Sequence, residues 1–358
     1  MSAGSNYSTL DKLIHYLAFR KVGLQRSLSE MEDTLYKKNL ESIDPSKPVF
    51  ITSLPRAGTT VLLEALYKSG LFATHTYRNM PFVLCPILWQ KISRNFRKNS
   101  DMHERAHGDG IFIGFDSPEA FEEIIWKYFW KEKFPPENIH LITGQEHNAD
   151  FEDFFMRHMK KMIFSEAAKG CAKRYISKNN ANIGRIPYLC NLLPESVVFI
   201  PVRNPISHAF SLHRQHLNFT ELHAKNRFVK TYMEDIGHLE FGDLHRPLLF
   251  PGSESLKAFD PLTPTYWLKY WLIAFTHLAQ QSFGNVHFIS IERLCASPDV
   301  SLHRIFDEIG GHTPDLEPSI QLFKEAKEPT KTDTFPDALV AEAAALRATL
   351  LQRDPHAH

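Results

Sequence analysis

The chain has 358 residues, 43% hydrophobic and 23% charged, with Lys plus Arg equal to Asp plus Glu at 41 each. That length allows one large core or two modest ones. The balanced charge lacks the basic excess of a nucleic-acid or anionic-membrane binder, so no nucleic-acid partner is expected.

Residues 1–23 (MSAGSNYSTLDKLIHYLAFRKVG) have no basic start followed by a long apolar run, so they do not read as a signal peptide. The apolar stretch 81–89 (PFVLCPILW) falls short of the roughly 20 residues that span a bilayer. Cys85, Cys171, Cys190 and Cys295 are scattered, without C-x-x-C spacing, as thiols of a reducing compartment are. A cytoplasmic protein with no transmembrane segment is expected.

Residues 9–40 carry apolar positions at helical spacing and predict one or two helices, within an N-terminal helical segment over 1–47. Pro48 then opens a strand, VFITS. The turn LPRAGT follows, and from Thr60 (TVLLEALYKSG) a helix is predicted, with Leu62 and Leu66 one turn apart and Gly70 closing it. Short runs rich in β-branched residues recur at 111–115, 175–177, 197–202 and 286–291, separated by helical patterns. Strands alternating with helices predict an α/β fold, three α/β/α layers around a central, mainly parallel sheet. The stretch 219–264, rich in His, Gly and Pro and weakly periodic, reads as an insertion over the active site. The main domain is placed at 48–312 and a C-terminal helical tail at 313–358.

Two motifs carry chemistry. In FITSLPRAGTT a strand feeds a tight turn, and the following helix start offers free backbone N–H groups and a positive dipole end. Gly58 leaves no Cβ in the way of an anion, Thr59 and Thr60 offer hydroxyls, Arg56 a planar fork, and Pro55 stiffens the approach. It is not G-x-x-x-x-G-K-[ST], since the first glycine and the lysine are missing. In VVFIPVRNPISHAFSLHRQ, Arg203 ends another strand, Pro205 stands near a helix start, and Ser211 follows two helical turns on. Either residue alone is ordinary; both, placed after the first loop, point to a divided phosphate site.

Together these residues resemble the sulfotransferases that use 3′-phosphoadenosine-5′-phosphosulfate (PAPS). Their first loop reads P-[KR]-[SA]-G-T-T, matched by Pro55, Arg56, Ala57, Gly58, Thr59 and Thr60, and binds the 5′-phosphosulfate. Their second carries R-[DN]-P and a serine eight residues after the arginine, matched by Arg203 and Ser211, and binds the 3′-phosphate. The likeness covers about 49–310. It implies a P-loop-like sulfotransferase fold and transfer of a sulfuryl group from PAPS to a hydroxyl, less readily an amine, of a small-molecule or saccharide acceptor. No metal is required by this chemistry. Arg56, with Lys178 at the end of the 175–177 strand, is the candidate for stabilising charge on the leaving phosphate.

Where enzymes acting on small phenols and steroids carry a histidine base, this chain has Asn180, and their C-terminal R-K-G and G-x-x-G-x-x-K features are absent. The chain is closer to bacterial and Golgi-type members with the arginine loop. Three side chains are candidates for the base: His107, ranked first, beside flexible glycines; Glu119, after Ser117-Pro118 at a helix start; and His75, where related enzymes carry an acid. Glu122 and Glu123 read as helix-capping and dipole-matching acids. Six histidines between His208 and His245 lack partners at metal-ligand spacing and read as solvated or acceptor-contacting. Two other functions share the cradle: a kinase-like phosphoryl transferase, which would need a magnesium-binding acid, and a non-catalytic module that holds a nucleotide or a partner.

Overall fold

The computed structural model describes residues 15–16, 18–19, 21–93, 103–104, 112–113, 117–167, 173–310, 313–325 and 334–353, with only the backbone of 103–104 and 112–113. Strands β1 (Val49–Ile51), β2 (Phe72–Ala73), β3 (Arg174–Lys178), β4 (Val197–Val202) and β5 (Val286–Ser290) form one sheet in the order β2-β3-β1-β4-β5. Every pairing in it is parallel. The helices that matter below are α1 (Val22–Leu35), α2 (Thr59–Lys68), α3 (Glu123–Phe129), α4 (Ala149–Ala167), α5 (Pro205–Lys225), α6 (Pro264–Ala279), α7 (Ile291–Ala296), α8 (Pro298–Ile309) and α9 (Asp337–Leu351).

Every residue of β1 and β4 is buried, which is what an apolar run between two helical layers requires. The strand period of two deals the side chains to both faces. Val49, Ile51, Ile176 and Phe199 meet Leu62 and Leu66 of α2, Leu294 of α7 and Leu302 and Phe306 of α8. Phe50, Tyr175, Val198, Ile200 and Val202 face the larger core, with Trp126 of α3, Phe155 of α4, Leu212 of α5 and Trp271 of α6. The result is the expected three-layer α/β/α sandwich.

Three local readings change. Of the run 111–115, the described residues Phe112 and Ile113 pair antiparallel with Glu104 and His103 in a separate two-stranded ribbon, not in the sheet. Ile291 starts a helix instead of ending a strand, because the Ser290 side chain caps it by accepting from the Arg293 N–H. The edge strand β2 was not anticipated; two residues are too few to show a period.

The N-terminal segment docks through polar groups. Gln25, Ser29 and Glu32 of α1 are buried, and Lys161 of α4 donates to the Ser29 carbonyl at 2.7 Å and lies 2.8 Å from an Asp33 oxygen. Burial pushes the Glu32 carboxyl up to about 7.

At the other end, α9 packs into the larger core through Ala343 and Leu350, both wholly buried. Truncation of Leu350 to alanine is expected to cost about 2–5 kcal/mol in urea unfolding, the range for a sealed leucine site; a detachable tail would leave the transition unmoved.

Candidate active site

The two motifs leave the sheet side by side. The Thr52 N–H donates to the Phe199 carbonyl at 3.0 Å, and Ser53 Oγ donates to the Pro201 carbonyl at 2.8 Å. These bonds fasten the loop that follows β1 to the end of β4.

Arg56 has φ of 70°, the one positive value at a non-glycine among the described residues. That backbone costs an L-residue on the order of 1–2 kcal/mol, so something must hold it. Arg203 does: its Nη1 donates to the Arg56 carbonyl at 3.1 Å. Arg56 in turn points its Nε at Ser211 Oγ, 3.4 Å away. Two residues 155 apart in the chain thus touch at one place.

His208, three residues before Ser211 on α5, supports the same loop from behind. Its Nε2 contacts the Pro55 carbonyl at 2.7 Å, and a carbonyl only accepts, so Nε2 carries the proton. The ring is wholly buried, and burial drops its pKa to about 3, which keeps the donor neutral. The sequence reading groups this residue with the solvated or acceptor-contacting histidines, whereas it is wholly buried, inside the second motif and one helical turn from Ser211.

Gly58 caps α2 with φ of 86°, and a Cβ there would lie 2.4 Å from Cδ1 of Ile291. The left-handed backbone favours glycine, and the close approach of the Ile291 side chain of α7 adds to that preference. Thr59 and Thr60 open α2, where the first backbone N–H groups have no partner within the helix. Thr59 Oγ1 donates to Asn180 Oδ1 at 3.3 Å, and Asn180 Nδ2 donates to Glu240 Oε1 at 3.3 Å. Ala57 is buried.

Electrostatically the site is cationic. The Arg203 pKa is lowered by burial first, raised by Glu292, and lowered by Arg56 and Arg214. Guanidinium groups that repel one another while partly desolvated form a place where an anion is favourable.

Lys178 ends β3 level with Ile51 of β1, at the same edge of the sheet. Its Nζ lies 3.9 Å from Glu119 Oε1, and both side chains are largely buried. Glu119 also accepts from Tyr77 OH at 3.0 Å and from the Ala120 N–H at 2.9 Å.

The other two base candidates fare differently. His107 lies outside the described residues. His75 is 1% exposed and stacks on His158 of α4 with ring centroids 5.0 Å apart, and burial lowers its pKa to about 3. Its ring is sealed from solvent, with Nε2 3.2 Å from His158 Nε2.

Glu122 and Glu123 do stand at the start of α3, as expected, but no side-chain capping bond is made there. Glu122 accepts from Trp126 Nε1 (2.9 Å), Tyr175 OH (2.9 Å) and Asn182 Nδ2 (3.0 Å). Glu123 takes both Arg185 Nη atoms at 2.7 Å and Asn179 Nδ2 at 2.7 Å. Both are buried, and they hold the turn that carries Asn180. Among the 208–245 histidines, His208, His216 and His223 are buried and His245 is half-buried, and desolvation holds His216 and His245 near pKa 4 and 3. His245 Nδ1 donates to the Glu240 carbonyl at 2.7 Å, which leaves Nε2 to accept from Tyr266 OH at 2.7 Å.

A histidine buried in neutral form makes folding sensitive to acid. The folded state of His208 binds fewer protons than the unfolded chain between about pH 3 and its ordinary value of 6.5. Its contribution is therefore complete above that ordinary value and is lost as pH falls through the window. By pH 5 the loss is roughly 2 kcal/mol for such a group. The melting temperature is expected to fall between pH 7 and pH 5, and less steeply in His208→Gln, which keeps an amide donor; an identical slope would remove His208 from the account.

Residues 48–246 match the model described as "Sulfotransferase family". A comparison with curated proteins gave no match. Among solved structures, sulfotransferase STF1 of Mycobacterium tuberculosis H37Rv is 12% identical, covering 95% of this chain and 89% of its own, with a TM-score of 0.45. Sulfotransferase STF9 of Mycobacterium avium is 13% identical, covering 90% of this chain and 81% of its own, with a TM-score of 0.47. The sulfotransferase domain of the Synechococcus PCC 7002 olefin synthase is 13% identical, covering 86% and 95%, with a TM-score of 0.38. The weight rests on the family match, which takes in both motifs and more than half of the chain: this protein belongs to the sulfotransferase family.

Proposed function

We propose that this sulfotransferase uses PAPS as its donor and transfers the sulfuryl group to a hydroxyl of a small-molecule or saccharide acceptor. The observation that carries the reading is the mutual contact of Arg56, Ser211 and Arg203, which joins the two motifs into one cationic site. The fit is chemical: two guanidinium groups, a hydroxyl and a free helix start converge where a nucleotide with phosphates at both ends would need them.

When bound, PAPS supplies the sulfuryl group and a phosphate leaving group. The chain's own residues do the rest. Arg56, the first N–H groups of α2 and the Thr60 hydroxyl would hold the phosphosulfate end, and the Thr59 hydroxyl would join them by turning from Asn180. Arg203 and Ser211 hold the 3′-phosphate. A cation fixed beside the leaving phosphate would favour the transition state over the ground state. Arg56 fills that role, and Lys178 adds a second charge at the sheet edge.

Glu119 takes the acceptor proton. It stands at the same edge as Lys178, and its carboxylate is oriented by Tyr77. Held between a phenol and an ammonium, it is an oriented acceptor for a hydroxyl proton.

Adenosine 3′,5′-bisphosphate, the desulfated product, is expected to raise the melting temperature, and Arg203→Ala to remove most of that shift. Greater stabilisation by ATP with magnesium would overturn the reading in favour of phosphoryl transfer. Glu119→Gln is expected to lower turnover by about 10²-fold or more, the usual scale for a lost general base, with bisphosphate affinity kept. Undiminished turnover in that variant would move the role to His107.

A further inference from the structure

We propose that Arg347, on the last helix of the chain, is a positioning residue for the second motif: it ties up Glu292 so that Arg203 is left to the nucleotide. The inference rests on the PAPS reading above and concerns a residue outside the stretch that matches the family.

Glu292 is fixed against the second motif. Its Oε1 accepts from the Asn204 N–H at 2.6 Å, the amide immediately after Arg203. Asn204 in turn caps α5, its side chain accepting from the Ile206 and Ser207 N–H groups at 3.0 and 3.1 Å. The carboxylate thus sits beside Arg203, and the two attract one another. Without Arg347, Glu292 would keep only neutral donors, the Asn204 N–H and the Ser290 hydroxyl 3.3 Å from Oε2, and with its charge unmatched it would act against the site twice. It would draw the Arg203 fork toward itself, and it would set a negative charge next to the place for a phosphate.

Arg347 meets that problem. Its Nη2 donates to Glu292 Oε2 at 2.7 Å and reaches Ser290 Oγ at 3.4 Å. The pair is only a quarter to a third exposed. The helix that carries Arg347 is seated by Ala343 and Leu350 in the core, so the guanidinium is delivered by packing and does not swing freely from the surface. Glu292 can then keep its bond to the Asn204 amide while its charge is matched elsewhere.

The test compares two nucleotides by calorimetry, adenosine 3′,5′-bisphosphate and adenosine 5′-monophosphate, which lacks the group Arg203 would hold. In Arg347→Ala the bisphosphate should bind about tenfold or more weakly, near 1.4 kcal/mol, with the monophosphate unchanged. Arg347→Lys should restore most of the loss. Adding Glu292→Gln to Arg347→Ala should also restore it, because the amide still accepts from Asn204 but no longer competes for Arg203. An equal loss for both nucleotides, no loss, or a double variant no better than Arg347→Ala would overturn the proposal. A wild-type protein that does not discriminate between the nucleotides would instead overturn the PAPS reading beneath it.

Discussion

The parallel register of β1 against β4 is the constraint on which the site depends. Ile51 lies level with Phe199, and the bonds from Thr52 to Phe199 and from Ser53 to Pro201 carry that register past the end of the strand. Arg56 and Arg203 then emerge close enough for one to hold the other's backbone. A slip of one residue would turn every side chain of β1 to the opposite face and break both helical layers, so the apolar pattern guards the geometry of the candidate site. The left-handed Arg56 is affordable only inside this arrangement.

Around that seam the polar groups are buried and paired. Glu122 and Glu123 gather Trp126, Tyr175, Asn179, Asn182 and Arg185, and the Arg185 guanidinium also lies 4.5 Å from the Trp126 ring centroid. A buried carboxylate with several donors is a specific object; removing one donor leaves a charge with nowhere to go. The turn from Asn179 to Arg185 is therefore held in one conformation, and Asn180 is presented to Thr59 from a rigid base. The segment beyond α5 completes this wall, since Glu240 receives Asn180 while its backbone carbonyl receives His245.

The layered parallel sheet was legible because β1 and β4 are short continuous apolar runs, each followed by a turn and a helix signal. The nearness of the two motifs was legible for the same reason, as each arginine stands just past a strand end. What was not legible is whatever depends on a distant partner. Glu122 and Glu123 look like helix-start acids because that is the only local role open to them; Arg185 and Tyr175 are over fifty residues away. His75 shares its chemistry with a base, and only the approach of α4 shows it to be sealed. Ala343 and Leu350 lie in a run of alanines and leucines whose spacing does not single out the buried face of α9. His208 is the exception, since its place within the second motif was in view.

The contact between Gly58 and Ile291 separates two properties of the donor loop. The loop is braced from behind by apolar packing and by an uncharged imidazole, forces that dissolved salt scarcely touches. The grip that Arg56 and Arg203 would have on a polyanion, by contrast, is Coulombic and would be screened as the Debye length shrinks. If the proposed donor site is right, ionic strength would therefore act on occupancy and not on shape, and concentrated salt would release the nucleotide while the cradle stays as it was.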